Sequence, residues 1–286
     1  MSHLREMGPE AWTPDVFLLA VSSFLLLLGY LVSAALWGMV VVDLGGPRLP
    51  VMESVRLFMV ANLGRYLPGK VWQIAGLAMM ARRKGIPAGT ATGAAVLGQG
   101  IALVAATLVG VGALVGAPAA TRAWSLPGAL VVLAGTGVFL LPPVFRWAMG
   151  LWFRVARQDA PATLGSVHGV RWLALYAANW ALYAFSFWVL AASFGHRGDV
   201  VPVASAFAAA YVLGYLMLFA PAGVGVREGF LVAFLTPFMG AGAATVLAVV
   251  ARLWTTAVEL VPAAIFWVGT MTPAGAHTNG GEHAGE

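Results

Sequence analysis

Three stretches of this chain carry no charge: Val16 to Val42, Gly85 to Thr121 and Trp172 to Gly195. Each is longer than the roughly 20 apolar residues that cross the hydrocarbon core of a bilayer. A chain built this way must satisfy its backbone inside each apolar segment, so the expected fold is an all-α polytopic transmembrane bundle in a single domain over residues 1–286. Composition agrees: 60% of residues are hydrophobic and 9% charged, against about 25% charged in an ordinary soluble domain. That excludes most soluble enzymes and any sizeable extramembrane domain. The net charge of +5 is explained by the positive-inside bias and by anionic lipid surfaces, so nucleic acid is not implied. With no cysteine in the chain there is no disulfide, thiolate metal site or cysteine nucleophile, and the five histidines have no HExxH spacing. No cofactor is expected. The first apolar stretch is too long for a signal-peptide core of about 7–15 residues and is expected to be retained.

Five full spans read directly: about 15–42, 87–116, 126–145, 171–195 and 241–271. Two further segments are interrupted. Residues 51–81 are broken at Pro68 and Gly69 with Arg65 and Lys70 alongside, and residues 202–238 at Pro221, Gly223 and Gly225 with Arg227 and Glu228 alongside. Proline lacks an amide hydrogen, and freed backbone groups at membrane depth are tolerated only inside protein or beside a wet cavity. Both segments therefore read as broken or re-entrant helices, a pattern that points to a transporter's binding site when it recurs in two halves.

Shifting the chain by 153 residues matches nine of the 32 positions from Pro68 to Gln99, including Pro68 to Pro221, Gly76 to Gly229 and Ala91-Thr92 to Ala244-Thr245. The same shift carries the first span onto the one starting near Arg171. The expected plan is repeat unit 1 at about 15–118, a linking span at 126–145, repeat unit 2 at about 168–271 and a polar tail at 272–286. If both broken segments are re-entrant, three crossings separate the units and unit 2 is inverted. Charge supports this, because Arg82-Arg83-Lys84 and the stretch with Arg146, Arg154, Arg157 and Arg171 then share one side, the cytoplasm. If the broken segments cross instead, the repeats are parallel.

The chemistry-bearing residues cluster at the breaks. Gly64 to Val71 has Walker A spacing up to its last position, where Val71 replaces the hydroxyl that holds magnesium, and Pro68 removes an amide; a nucleotide loop is excluded on those grounds. What remains is Asn62, Arg65, Tyr66, Lys70 and Gln73. Arg65 and Lys70 suit an anionic phosphate, the alternative being that they snorkel to the interface. Arg227 and Glu228 stand at the second break, and ionisable residues inside membrane segments are functional candidates by default. In the last span Arg252, Thr255, Thr256 and Glu259 form one helical stripe that must face inward; Arg252 and Glu259 are expected to pair with Glu228 and Arg227. Tyr176, Asn179, Tyr183 and Ser186 form another stripe, read as interhelical hydrogen bonding. Gly89xxxGly93 and Gly112xxxGly116 read as close helix packing.

The segments Arg65 to Trp72 and Pro221 to Gly229 resemble the lysylphosphatidylglycerol synthase transmembrane-domain family, flippase-like membrane proteins that include the lipid-translocating half of multiple peptide resistance factor. The resemblance implies movement or presentation of lipids, including aminoacylated and isoprenoid-linked ones. Two departures stand out. Many members have Gly-Glu where this chain has Trp72-Gln73, and the soluble aminoacyltransferase domain of larger members is expected to be absent, so synthesis of a modified lipid is not expected. The expectation is therefore a non-enzymatic multi-pass protein of the inner (cytoplasmic) membrane that flips an anionic phospholipid or polyprenyl-phosphate-linked headgroup against Arg65, Lys70, Arg227 and Arg252. No ATPase motif is present, so downhill and ion-coupled movement both stay open. The alternative is a non-transporting membrane subunit that assists a glycosyltransferase or lipid-modifying partner.

Overall fold

The computed structural model describes residues 13–67, 71–114, 119–157, 161, 164–217 and 225–271. Among these every regular element is helical: α1 (Val16–Asp43), α2 (Val51–Asn62) with a 3-10 turn after it (Leu63–Tyr66), α3 (Val71–Arg82), α4 (Ala88–Gly110) extended by a second 3-10 turn (Val111–Leu114), α5 (Ala119–Leu140), α6 (Pro142–Ala156), α7 (Ser166–Ser193), α8 (Val200–Leu216) and α9 (Val226–Met271). Among the described residues four helical stretches are long and apolar enough to cross a membrane: Val16–Asp43, Ala88–Leu114, Ser166–Ser193 and Val226–Phe266. A fifth is added if the bent pair Leu126–Leu140 and Pro142–Val155 is one span. The protein is thus a multi-pass helical membrane protein. Large apolar side chains such as Phe17 and Phe24 on α1 and Leu253 and Val261 on α9 point outward, as a lipid-facing surface requires.

The span expected at 126–145 is bent. Its helix begins at Ala119, stops at Leu140 and the chain turns by 83° into α6. Pro142 and Pro143 cause the turn: neither can donate into the helix before it, and proline is suited to the first positions of a new one. Most of α5 between Leu126 and Val138 is exposed, so this linking helix lies at the edge of the bundle.

The centre of the bundle is α1 packed antiparallel along α7. Asp15, which caps α1 by accepting from the amides of Phe17 and Leu18, also donates its own amide to the Ser193 carbonyl at 2.8 Å. At the other end Asp43 pairs with Arg171 and accepts from Trp172 Nε1 at 2.7 Å. Between these ties Ser22 Oγ donates to the Ser186 carbonyl at 2.9 Å, and the Ser33 and Tyr183 hydroxyls lie 2.9 Å apart. Gly29 makes the approach possible, since a Cβ there would stand 2.5 Å from the Tyr183 ring. Of the polar stripe expected on α7, Asn179 and Tyr183 bond across to Ser33, whereas Ser186 Oγ donates to the Tyr183 carbonyl within α7.

Against this pair lie two helical hairpins. The twelve residues each of α2 and α3 give lengths of about 18 Å, too short to cross alone. Glu53 at the start of α2 and Lys84 just after α3 form an ion pair at 2.7 Å, so the segment leaves from the end at which it entered, the Asp43 end. The other hairpin joins α8 to the first limb of α9. Gly240, with φ 76° and ψ 158°, divides α9 there, a conformation open to glycine but strained for other residues. The span expected from residue 241 therefore starts at a real break. Of the glycines read as close-packing positions, Gly93 touches Trp152 of α6, and Gly112 lies against Val201 of α8; Gly110, not singled out, meets the Ala209 backbone. Gly116 lies outside the described residues.

Candidate functional site

Where the hairpin tips meet, the charged residues of the membrane-depth segments gather. The 3-10 turn after α2 carries Arg65 and Tyr66, and it is held close to α3, because a Cβ at Gly64 would lie 2.7 Å from the Gln73 amide nitrogen. Gln73 Nε2 in turn donates to Asn62 Oδ1 at 2.5 Å. On the second hairpin Gly225 takes φ 82° and donates its amide to Glu228 Oε2 at 2.7 Å, which fixes the start of α9. Gly214 of α8 lets that start come close, since its Cβ would stand 2.8 Å from Arg227 Cβ.

The ion pairs differ in part from the sequence expectation. Arg252 does approach Glu228, at 3.8 Å. Glu259 does not pair with Arg227. Its carboxylate is only 2% exposed and is taken by Arg65, whose Nη1 lies 3.3 Å from Oε1, while the Tyr66 hydroxyl donates to Oε2 at 3.0 Å. The reason is geometric: Arg252 of the α9 stripe meets Glu228 of α9's own first limb, and Glu259, about two turns further on, meets the tip of the first hairpin. Arg227 instead lies over the Phe207 ring, 4.7 Å from its centroid, a cation–π contact that is favourable when desolvated. Among the described residues no carboxylate lies within ion-pair distance of it. The cluster thus holds three arginines and two glutamates, and its surplus charge rests on Arg227.

Two adjoining cavities open at this cluster. The smaller, about 70 Å³, is lined by Arg65, Tyr66, Arg227, Arg252, Thr256 and Glu259, so the α9 stripe faces inward as its spacing required. The larger, about 110 Å³, reaches toward α1, α4 and α7, and Arg65, Arg227, Gln73 and Tyr211 border both. Of the sequence-derived candidates, Asn62, Arg65, Tyr66, Gln73, Arg227, Glu228, Arg252 and Glu259 are brought together here. Lys70, Pro68, Gly69, Pro221 and Gly223 lie outside the described residues. Among the described residues no group of three or more His, Asp and Glu side chains comes together that could hold a metal ion.

The motifs at Arg65 and Arg227 thus bring arginines from two hairpins to two adjoining cavities. Residues 4–263 match the family described as lysylphosphatidylglycerol synthase TM region. The chain belongs to that family. Comparison with curated proteins and with solved structures found no match.

In this lysylphosphatidylglycerol synthase TM region protein, sequence reasoning missed Trp37, Tyr30, Gln99 and Tyr211, all of which border the larger cavity. Gln99 offered a signal, being a lone amide in the uncharged stretch from Gly85 to Thr121. The tyrosines and Trp37 offered none, because isolated aromatic residues within apolar helices are common on packed and lipid-facing surfaces alike. Asn179, read as an interhelical hydrogen bonder, donates to Ser33 Oγ at 2.8 Å and also lines the cavity.

Proposed function

We propose that this protein moves an anionic phospholipid, or a lipid-linked headgroup of the polyprenyl-phosphate type, across the membrane. The observation that carries the proposal is Arg227: an arginine at the wall of both cavities, held by a ring and, among the described residues, by no carboxylate, beside Arg65 and Arg252. A cation desolvated in this way gains most from an anion brought to it, and a guanidinium offers a planar fork of donors that matches phosphate oxygens. Arg65 and Arg252 remain positively biased neighbours while their glutamates limit mutual repulsion.

The layout of the bundle supports translocation over simple anchoring. The 153-residue shift lays Tyr30 on Tyr183 and Ser33 on Ser186, and across the antiparallel α1 and α7 the Tyr30 and Tyr183 rings lie 5.6 Å apart while Ser33 meets the Tyr183 hydroxyl. We read this as an inverted repeat in which the hairpins are re-entrant from opposite faces. Such a plan puts the binding cluster near the bilayer midplane, where rocking of one half against the other exposes it alternately. Arg82, Arg83, Lys84 and Arg171 at the Asp43 end mark that end as cytoplasmic, which fits an inner-membrane location.

The test is lipid scrambling or flipping in liposomes that contain the purified chain. Fluorescent phosphatidylglycerol should become accessible to an external quencher beyond the outer-leaflet fraction, and Arg227→Gln should abolish the protein-dependent part. Retention of anionic lipid without movement of phosphatidylglycerol or polyprenyl-phosphate lipids would overturn translocation and favour the accessory-subunit reading.

A further inference from the structure

The larger cavity contains buried polar atoms that the arginine cluster does not use. Trp37 Nε1 from α1, Asn62 Nδ2 from α2, Gln99 Nε2 from α4 and Asn179 Oδ1 from α7 all lack a hydrogen-bond partner among the described residues. Their side chains line one space, although they come from four helices distant in sequence. Trp37 and Asn62 are each 1% exposed and Asn179 3%. Buried polar atoms are almost always paired in a folded protein, so these four leftovers around one cavity, with Arg65 Nε of the arginine cluster a fifth at its border, indicate a missing polar occupant. The space, about 110 Å³, is several times the roughly 10–15 Å³ that one water needs.

The chemistry of the leftovers selects the occupant. Three are donors, and one is an acceptor. A bare phosphate only accepts and would leave Asn179 Oδ1 unmet. An ammonium only donates and would leave the other three unmet; the nearby carboxylates are held in ion pairs, Glu259 by Arg65 and Glu228 by Arg252, with Glu259 Oε1 left without a hydrogen bond. Hydroxyl groups both donate and accept, and so satisfy these amides whichever way they turn. The remaining walls include the rings of Tyr30, Tyr183, Trp180 and Tyr211, the last two with centroids 4.7 Å apart, apolar surface of the kind that orients a ligand between a few fixed polar contacts.

We propose that this cavity takes the polyhydroxylated part of the headgroup, a sugar or polyol, while the phosphate that links it to the lipid lies against Arg227 in the adjoining cavity. The proposal rests on the reading that the arginine cluster holds a lipid phosphate, and it narrows that substrate to a phosphate diester of a polyol and excludes amine headgroups as preferred ligands. The neutral groups then discriminate among headgroups, and the arginines supply affinity common to all anionic lipids.

Competitive retention of four lipids by the purified full-length chain, read by native mass spectrometry, tests this. Phosphatidylinositol and phosphatidylglycerol are the polyol probes, phosphatidic acid has the phosphate without the polyol, and phosphatidylethanolamine supplies the amine. The wild-type protein should retain phosphatidylinositol about tenfold better than phosphatidic acid, the equivalent of one or two net hydrogen bonds. Gln99→Leu, and separately Trp37→Phe, should bring phosphatidylinositol down to the level of phosphatidic acid and leave phosphatidic acid unchanged, whereas Arg227→Gln should weaken both alike. Equal retention of phosphatidic acid and the polyol lipids by the wild type would mean that the cavity holds only water, and would overturn this inference while leaving the arginine reading intact. Preferred retention of phosphatidylethanolamine, or a polyol preference that survives in both cavity variants, would overturn it too. Failure to retain any anionic lipid would remove the arginine reading and this inference together.

Discussion

Arg65 and Arg227 carry the same charge in neighbouring positions, yet they are held in opposite ways, and substitution should separate them. Arg65 balances Glu259, which is 2% exposed. Arg65→Gln strands a buried carboxylate and should cost about 3–5 kcal/mol of stability, seen as a lower unfolding temperature in detergent, and Glu259→Gln added to it should restore most of the loss. Arg227→Gln removes a cation that no carboxylate among the described residues pairs with, so the unfolding temperature should fall little while anionic-lipid retention drops. If the two single variants lose equal stability, the unpaired status of Arg227 is wrong. These residues were legible in the sequence as ionisable groups in apolar surroundings, but their partners were not. Pairing between α9 and a turn almost 200 positions earlier follows from how two hairpin tips meet, which no local spacing encodes, and so Glu259 was assigned to Arg227 when its partner is Arg65.

At the scale of elements, the breaks were legible because proline and glycine change backbone chemistry wherever they stand. The break at Gly240 was bracketed by the segments expected at 202–238 and 241–271, but the residue that makes it was not legible, since glycine is frequent throughout this chain and only the φ of 76° distinguishes it. The turn at Leu141 was missed for the converse reason: Pro142 and Pro143 sit inside a continuous apolar run, and hydropathy alone continues the span through them. The tight joint between the 3-10 turn and α3 gives a direct prediction. Gly64→Ala puts a methyl group 2.7 Å from the Gln73 nitrogen, against backbone that cannot swing aside, and should destabilise the protein by about 1–3 kcal/mol; Gly76→Ala, with open space around it, should be neutral or slightly stabilising. Wild-type unfolding of Gly64→Ala would show that the hairpin tip is looser than this packing implies. The hairpins also make a topological prediction that the absence of cysteine renders simple. A cysteine replacing Arg83 should label from the cytoplasmic side and one replacing Gly198 from the opposite side, because the first lies at the Asp43 end and the second at the Asp15 end of the antiparallel helices. Labelling of both from one side would rule out the inverted arrangement.

Over the whole molecule the contrast is between a spine and two arms. The α1–α7 pair is tied at both ends by Asp15 and Asp43 and in the middle by Ser22, Ser33, Asn179 and Tyr183. Each arm is instead a pair of helices or limbs interrupted in the middle, with charges near its tip. Local opening draws on regions with few buried contacts and interrupted hydrogen-bond ladders, so the arms should exchange amide hydrogens sooner than the spine. A headgroup that bridges the two tips would tie them to each other and raise the cost of opening both. In nanodiscs, hydrogen exchange measured with and without phosphatidylinositol should therefore show slowed exchange at residues 63–66 and 225–230 together, with 22–33 and 176–187 already slow and unchanged. The paired response is the informative part. Protection of one tip alone would mean that the ligand sits in a single hairpin and does not couple them, and uniform protection would mean that lipid only stabilises the bundle. Either result would remove the basis for alternating access about a fixed spine, since that motion requires both arms to feel one ligand.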